Sequence, residues 1–317
     1  MKRRKLKRKT RLLIILISLC ACYIGAYKFS QSNSVQGFIN EIIEVSGPLT
    51  DFTDSSLEAP DIKGHAAILL NASTGEILME QNADNPFPVA SMSKMMTEYI
   101  VQEQIKNGSM DWDDLVVMSH AANNMDPQAV KIYVKENDLL TVRDLYNAMV
   151  IYSANNATIA LAEHIAGSER KFAKLMNNKA NKIGLSSKTN FVNSTGLFNT
   201  DGSENVMTAR DAALLASQLL SDFPDVLNTT KMLEYKLAYD GTTLKNSNAM
   251  LDPQNRNLYD NLVDGLKTGF TETAGYCFTG TARKGDKRLI SVVMGTKSDD
   301  ARFLETQKLL SFGFGRF

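Results

Sequence analysis

Ser91-Met92-Ser93-Lys94 sets a hydroxyl and an amine three residues apart at the head of an apolar stretch, Met95, Met96, Tyr99 and Ile100, which runs on to Asn107-Gly108. Pro88 stands just before it and the Asn-Gly pair is a stop signal, so the spacing predicts a helix whose N-terminus carries Ser91. Lys94 then lies across the same face as Ser91. The helix is apolar on more than one side, which predicts a buried, central position. A buried lysine gives up its charge more readily than an exposed one, so its amine can accept a serine proton. The N-terminus also offers N–H groups to a developing oxyanion.

Two more segments follow in order. Ser153-Ala154-Asn155 falls between two helical patterns, one from Thr141 through Leu145 and Met149 to Ile151, the other from about Ala157 to Gly167. Lys267-Thr268-Gly269 falls between Leu262-Val263 and a strand-like run, Tyr276 to Ala282. Taken singly, each has an ordinary reading: a capped helix with a surface lysine, an interhelical turn, an edge strand with an exposed lysine. The first two are repeated at Ser168-Glu169-Arg170-Lys171 and Ser203-Glu204-Asn205, whereas Lys-Thr-Gly occurs once. The charged Ser168 copy reads as a solvated helix start. Together and in order, the three supply a nucleophile, an amine base and polar anchors for acyl transfer, with lysine where many serine hydrolases use histidine.

The formal net charge of zero conceals an asymmetry. Residues 1–40 carry nine basic side chains and no acid; without those nine, 26 basic residues face 35 acidic ones. A body some nine charges negative is a poor nucleic-acid binder. The basic residues 1–11 are followed at once by the charge-free run 12–27, 16 residues long. That is the pattern of a secretory signal or anchor, its positive flank inside. Sixteen residues is short against the ~20 of a full span, but interfacial tyrosines and lysine snorkelling can extend it and Ile24-Gly25-Ala26 is a poor cleavage site, so an uncleaved anchor is expected, with secretion after cleavage as the alternative. Residues 28–59 read as a linker and 60–317 as one domain. Cys20 and Cys22 lie in the apolar run and Cys277 stands alone, so no disulfide is expected within the domain. His65, His120 and His164 show no zinc spacing; no metal and no cofactor is expected.

Within the domain, the pattern predicts a hairpin over 64–81 turning at Ser73-Thr74-Gly75, the Ser91 helix, and helices filling roughly 141 to 221. Strands are expected to dominate from 232 to 296, with Lys284-Gly285-Asp286-Lys287 as a turn, before a last helix at about 299–310. The first and last segments must then meet in one antiparallel sheet beside a helical cluster, an α+β fold with the site at their junction.

The three motifs resemble those of the penicillin-recognising serine transferases, specifically the D-alanyl-D-alanine carboxypeptidases. So do Ala66 to Leu78, Phe191-Val192-Asn193-Ser194-Thr195-Gly196-Leu197, Thr208-Ala209-Arg210-Asp211, Val263-Asp264-Gly265-Leu266 and Ala274-Gly275-Tyr276-Cys277. The resemblance covers about residues 60–317 and implies a β-lactamase/transpeptidase-like fold. It implies removal of the terminal D-alanine from peptidoglycan stem peptides, β-lactam antibiotics as covalent inhibitors, and a place on the outer face of the cytoplasmic membrane in the bacterial cell envelope. Carried over, Ser91 is the nucleophile, Lys94 the base, Ser153 a proton relay and Asn155 a ligand for the substrate amide. Lys267 and Thr268 hold the terminal carboxylate, Gly269 lets the substrate lie against the strand, and the N–H groups of Ser91 and Phe270 form the oxyanion hole. Ala154 replaces a glycine common in the family. Of two Asn-x-Asn segments, Asn246-Ser247-Asn248 fits the family better than Asn255-Arg256-Asn257, so Arg256 reads as a surface arginine rather than a carboxylate ligand. A D,D-endopeptidase of the same fold is one alternative. A β-lactamase is another, weakened because Pro224 stands where its Glu-x-x-Leu-Asn segment needs glutamate.

Overall fold

The computed structural model describes residues 58–317. The expected anchor at 12–27, and nearly all of the expected linker, lie outside them. The chain divides into two units, of which the second is Leu57–Phe317. In chain order its elements are strands β1 (Ala66–Asn71), β2 (Ile77–Gln81) and β3 (Pro86–Pro88), a 3-10 turn at Ala90–Ser93, helix α1 (Lys94–Lys106), β4 (Leu115–Val117), α2 (His120–Asn123), β5 (Leu139–Thr141) and α3 (Val142–Asn147). A π turn at Ala148–Tyr152 leads to α4 (Asn155–Ala166), α5 (Glu169–Lys182), β6 (Val206–Thr208), α6 (Ala209–Asp222), α7 (Val226–Thr230), β7 (Glu234–Lys236) and β8 (Thr243–Lys245). The last elements are β9 (Val263–Thr271), β10 (Gly275–Lys284), β11 (Lys287–Thr296) and α8 (Asp299–Gly315).

Five strands form one antiparallel sheet in the order β2-β1-β11-β10-β9. The opening hairpin therefore joins the closing strands, with Ile68 opposite Val292 and Leu70 opposite Ile290. All six residues of β1 are buried, because both faces of the sheet are covered. Ala66, Ile68 and Leu70 face one core with Met92, Met95, Met96, Phe172 and Ala216; Ala67 and Leu69 face the other with Phe278, Phe303 and Leu309. This is the period-two alternation of a strand, with apolar residues on both sides. A helical core around Val101, Leu145, Met149, Ala157 and Leu161 lies apart from the sheet. Helix α1 supplies Met95, Met96 and Ile100 to one core and Val101 to the helical one, which is why its sequence lacks a polar face.

The fold is α+β, as expected, with several local departures. Residues 183–205 are not helical. Asn193 Oδ1 accepts the backbone N–H groups of Thr195 and Gly196, at 3.1 and 2.8 Å, which gives that backbone an alternative to helix. Residues 246–262 carry a 3-10 turn (Ala249–Leu251) rather than a strand, and the last helix runs to Gly315 instead of about 310. Ser168, the rival copy, caps α5 by accepting from the Lys171 N–H. Strand β9 is the edge of the sheet, yet Lys267 on it is only 2% exposed.

Candidate active site

The site lies where the start of α1, the turn before α4 and the edge strand β9 meet. Ser91, half-buried, sits in the 3-10 turn just ahead of α1. Lys94, 1% exposed, opens the helix proper. Its Nζ lies 2.8 Å from each of three oxygens: Ser91 Oγ, Asn155 Oδ1 and the Thr195 carbonyl. Of these, the amide and carbonyl oxygens can only accept. A neutral Lys94 amine therefore gives its two N–H groups to Asn155 and Thr195 and turns its lone pair to the Ser91 hydroxyl. That is the arrangement a general base needs.

Each partner is locked from behind. Asn155 Nδ2 donates to the Val130 carbonyl at 3.0 Å, which fixes Oδ1 toward Lys94 and leaves one N–H of the amide uncommitted among the described residues. The Thr195 carbonyl is held by the 193–197 turn, anchored to α1 through Thr97 Oγ1, which donates to the Ser194 carbonyl at 2.9 Å. Gly196 sits at φ +82°, and a Cβ there would lie 1.9 Å from the Ala90 carbonyl oxygen. Only glycine lets this turn press so closely on the helix start.

Ser153 ends the π turn in a left-handed conformation, φ 67° and ψ 27°. Such a backbone is uncommon for serine and concentrates at functional sites. Here it presents Oγ to Lys267, whose Nζ donates to it at 3.0 Å and to the Thr268 carbonyl at 3.1 Å. Thr268 Oγ1 shares a hydrogen bond of 2.7 Å with Ser247 Oγ. A Cβ on Gly269 would lie 2.7 Å from the Val89 carbonyl oxygen, so the strand and the helix start pack backbone to backbone here. Phe270 is 48% exposed, its ring stacked on Tyr276 at 4.2 Å.

The electrostatics separate the two lysines. Burial pushes Lys94 well below the usual lysine value; the charge of Lys267 adds to this and Glu169 opposes it. Burial likewise brings Lys267 down to about 7, helped by Arg302 and opposed by Glu98. Glu98, one turn after Lys94, is raised to about 7 by burial, against the pull of its hydrogen bond from Tyr146 and the Lys267 charge.

All eight residues singled out from the sequence, Ser91, Lys94, Ser153, Asn155, Lys267, Thr268, Gly269 and Phe270, lie on these three converging segments. Arg256 does not join them: it is exposed, and no hydrogen bond among the described residues ties it to the site. Thr195, Ser247, Glu98 and Arg302 were not assigned roles from the sequence. The first two lie in segments whose family resemblance was visible, Phe191–Leu197 and Asn246–Asn248. Glu98 and Arg302 sit in ordinary helical sequence that carries no signal.

Comparisons with known proteins bear on the family and the fold. The chain is 37% identical over 274 residues to the D-alanyl-D-alanine carboxypeptidase DacC of Escherichia coli, a match covering 85% of this chain and 66% of the relative. It is 34% identical to DacA of the same organism, covering 81% of this chain and 62% of the relative. The chain thus spans just under two thirds of the length of these curated relatives. The crystal structure of penicillin-binding protein D2 from Listeria monocytogenes in its ampicillin-bound form superposes with a TM-score of 0.72 at 40% identity, covering 80% of this chain and 100% of that one. A family model described as peptidase S11, D-alanyl-D-alanine carboxypeptidase, matches residues 53–298, and that span holds every motif residue of the cleft. With the motifs, their convergence in space and the fold all in agreement, this chain belongs to the peptidase S11 family of D-alanyl-D-alanine carboxypeptidases.

Proposed function

We propose that this chain is a serine D-alanyl-D-alanine carboxypeptidase, removing the terminal D-alanine from peptidoglycan pentapeptide stems through an acyl-enzyme on Ser91. The observation that carries the reading is the buried Lys94 amine, 2.8 Å from Ser91 Oγ and flanked by two acceptor-only oxygens.

Ser91 Oγ adds to the carbonyl carbon of the penultimate D-alanine while its proton passes to Lys94 Nζ. The carbonyl oxygen takes up the negative charge, facing the backbone N–H groups of Ser91 and Phe270. Collapse breaks the C–N bond. The departing amine takes its proton through Ser153, and Lys94 returns to neutral. Water then adds to the ester, losing a proton to Lys94, and Ser91 regains that proton as the shortened peptide leaves. Lys267 and Thr268 hold the terminal carboxylate, the uncommitted N–H of Asn155 meets a substrate carbonyl, and the substrate lies along the free edge of β9, where Gly269 allows close approach. A β-lactam presents a carboxylate beside a reactive carbonyl in the same way. Its ring C–N bond opens, but the amine stays tethered, so the acyl-enzyme persists. The basic 1–11 segment and the charge-free 12–27 run support retention at the outer face of the cytoplasmic membrane.

Intact-mass spectrometry tests the assignment. Benzylpenicillin should add its full mass to the unmutated chain and nothing to Ser91→Ala, while a synthetic pentapeptide should lose one D-alanine. An undiminished adduct on Ser91→Ala would sink the assignment.

A further inference from the structure

The acyl-transfer scheme above makes no use of Arg302. This arginine lies in the first turn of α8 and is buried, its side chain 8% exposed, while its ion-pair partner Asp299 is 60% exposed. Its Nη1 donates to the Gly269 carbonyl at 3.2 Å. The guanidinium lies 5.6 Å from the centre of the Tyr276 ring and 4.8 Å from that of Phe303. Its Nε is buried with no hydrogen-bond partner among the described residues.

Stability does not explain such a residue. A buried cation with an unmet donor carries a desolvation cost, and well-packed apolar side chains in such places are often at least as stable. What Arg302 does hold is one particular peptide. The Gly269 carbonyl and the Phe270 N–H belong to the same peptide unit, and the cis bond found among the described residues is elsewhere, at Gly265–Leu266. In a trans peptide the C=O and N–H point in opposite directions. A guanidinium gripping the carbonyl therefore fixes the N–H on the opposite side of that peptide, away from the cation. The Phe270 ring is tied to the same cation: it stacks on Tyr276, which lies beside the guanidinium.

We propose that Arg302 is a positioning residue for acyl transfer: by holding the Gly269 carbonyl, it aims the Phe270 N–H at the oxygen that becomes negative when Ser91 adds to the substrate carbonyl. A cation on the carbonyl also polarises the peptide, which makes its N–H a stronger donor. The inference rests on the acyl-enzyme reading and assigns the element that aligns its oxyanion hole.

The test uses the full-length chain as unmutated protein, Arg302→Gln and Arg302→Lys, with benzylpenicillin as the probe. Two quantities are read: the rate constant of acylation separated from the preceding binding constant, and the infrared stretch of the ester carbonyl in the acyl-enzyme. Loss of a whole oxyanion donor costs about 10²–10³ in rate, so misaligning one should slow Arg302→Gln acylation by about 10–100-fold. Binding should change by less than about 3-fold, since the interaction belongs to the transition state. The ester band should move to higher wavenumber as its hydrogen bond weakens. Arg302→Lys keeps a cation but not the planar fork, and should fall between the two in both readouts. An Arg302→Gln chain that acylates at the unmutated rate, or is slowed with an unmoved carbonyl band, overturns the proposal. If Arg302→Gln does not fold, an unmoved band in Arg302→Lys overturns it equally. An unmutated chain that forms no adduct on Ser91 refutes the acyl-enzyme reading itself, a result distinct from a failure of Arg302 alone.

Discussion

Lys94 and Lys267 are the same residue type, both buried, and the proposed acyl transfer asks opposite things of them. Lys94 must be neutral to accept a proton; Lys267 must be charged to hold a carboxylate. Burial lowers both; the Lys267 charge adds to the depression of Lys94, while Glu98 supports the charge on Lys267. The proposed chemistry requires a pH window in which Lys94 is neutral and Lys267 still protonated. The sign follows: kcat/KM rises as pH climbs through the Lys94 titration and falls as it passes through that of Lys267, which lies at about 7 in the free protein. A bound substrate carboxylate favours the charged form of Lys267, so the falling limb of kcat should lie at higher pH than that of kcat/KM. Lys267→Ala should lose the falling limb. It should also lose far more kcat/KM on substrates with a free C-terminal carboxylate than on amidated ones. Steady-state profiles on the two substrate types check this, and equal losses on both would remove the carboxylate role from Lys267.

The elements around these residues are joined by backbone contacts that leave no space. The turn 193–197 carries the Thr195 carbonyl to Lys94 and is wedged against the start of α1 at Gly196. Ser93 Oγ donates to the Ala90 carbonyl at 2.7 Å, the same oxygen a Gly196 Cβ would strike. Ala90 itself is held at φ 46°, so the nucleophile's turn is already strained. Gly196→Ala adds left-handed strain to a clash with backbone that cannot rotate away. A cost of about 3 kcal/mol or more is expected from these two mechanisms together. For a domain of this size that lowers the melting temperature by about 6–12 °C. Because the turn also positions the third partner of Lys94, penicillin acylation should slow as well. Thermal melts and acylation rates at a temperature where the variant is folded check both halves. A variant as stable and as fast as the unmutated chain would mean the turn relaxes freely.

At the scale of the whole molecule, the catalytic unit closes on itself: the opening hairpin pairs with β11, and α8 covers the sheet face that carries Phe278 and Phe303. The pairings and core contacts of that closure lie within the described residues, 58–317. Deleting the first 28 residues should leave a soluble protein that benzylpenicillin still acylates, while the intact chain should sediment with membranes. Fractionation followed by penicillin labelling checks both. Protein expressed from the full-length sequence but recovered free in the medium, beginning near residue 27, would instead show a cleaved signal.

The sequence by itself determined the fold class and the outer elements, and it singled out eight residues that the structure brings onto three converging segments, because those signals are local or are carried by short motifs. A serine three residues before a lysine on an apolar helix predicts a base beside a nucleophile, and the hairpin over 64–81 is written in its turn residues. The helical reading across 183–205 failed for a local reason: the Asn193 side chain takes up backbone N–H groups that a helix would have used. What only the tertiary structure decided is the second tier. Thr195, 101 residues from Lys94 in sequence, reaches it through a carbonyl that every residue possesses. Glu98 and Arg302 look like ordinary helical charges until packing buries them. Burial, and not residue type, lowers both lysines, and the burial and the neighbouring charges that act on each come from chain segments far apart in sequence.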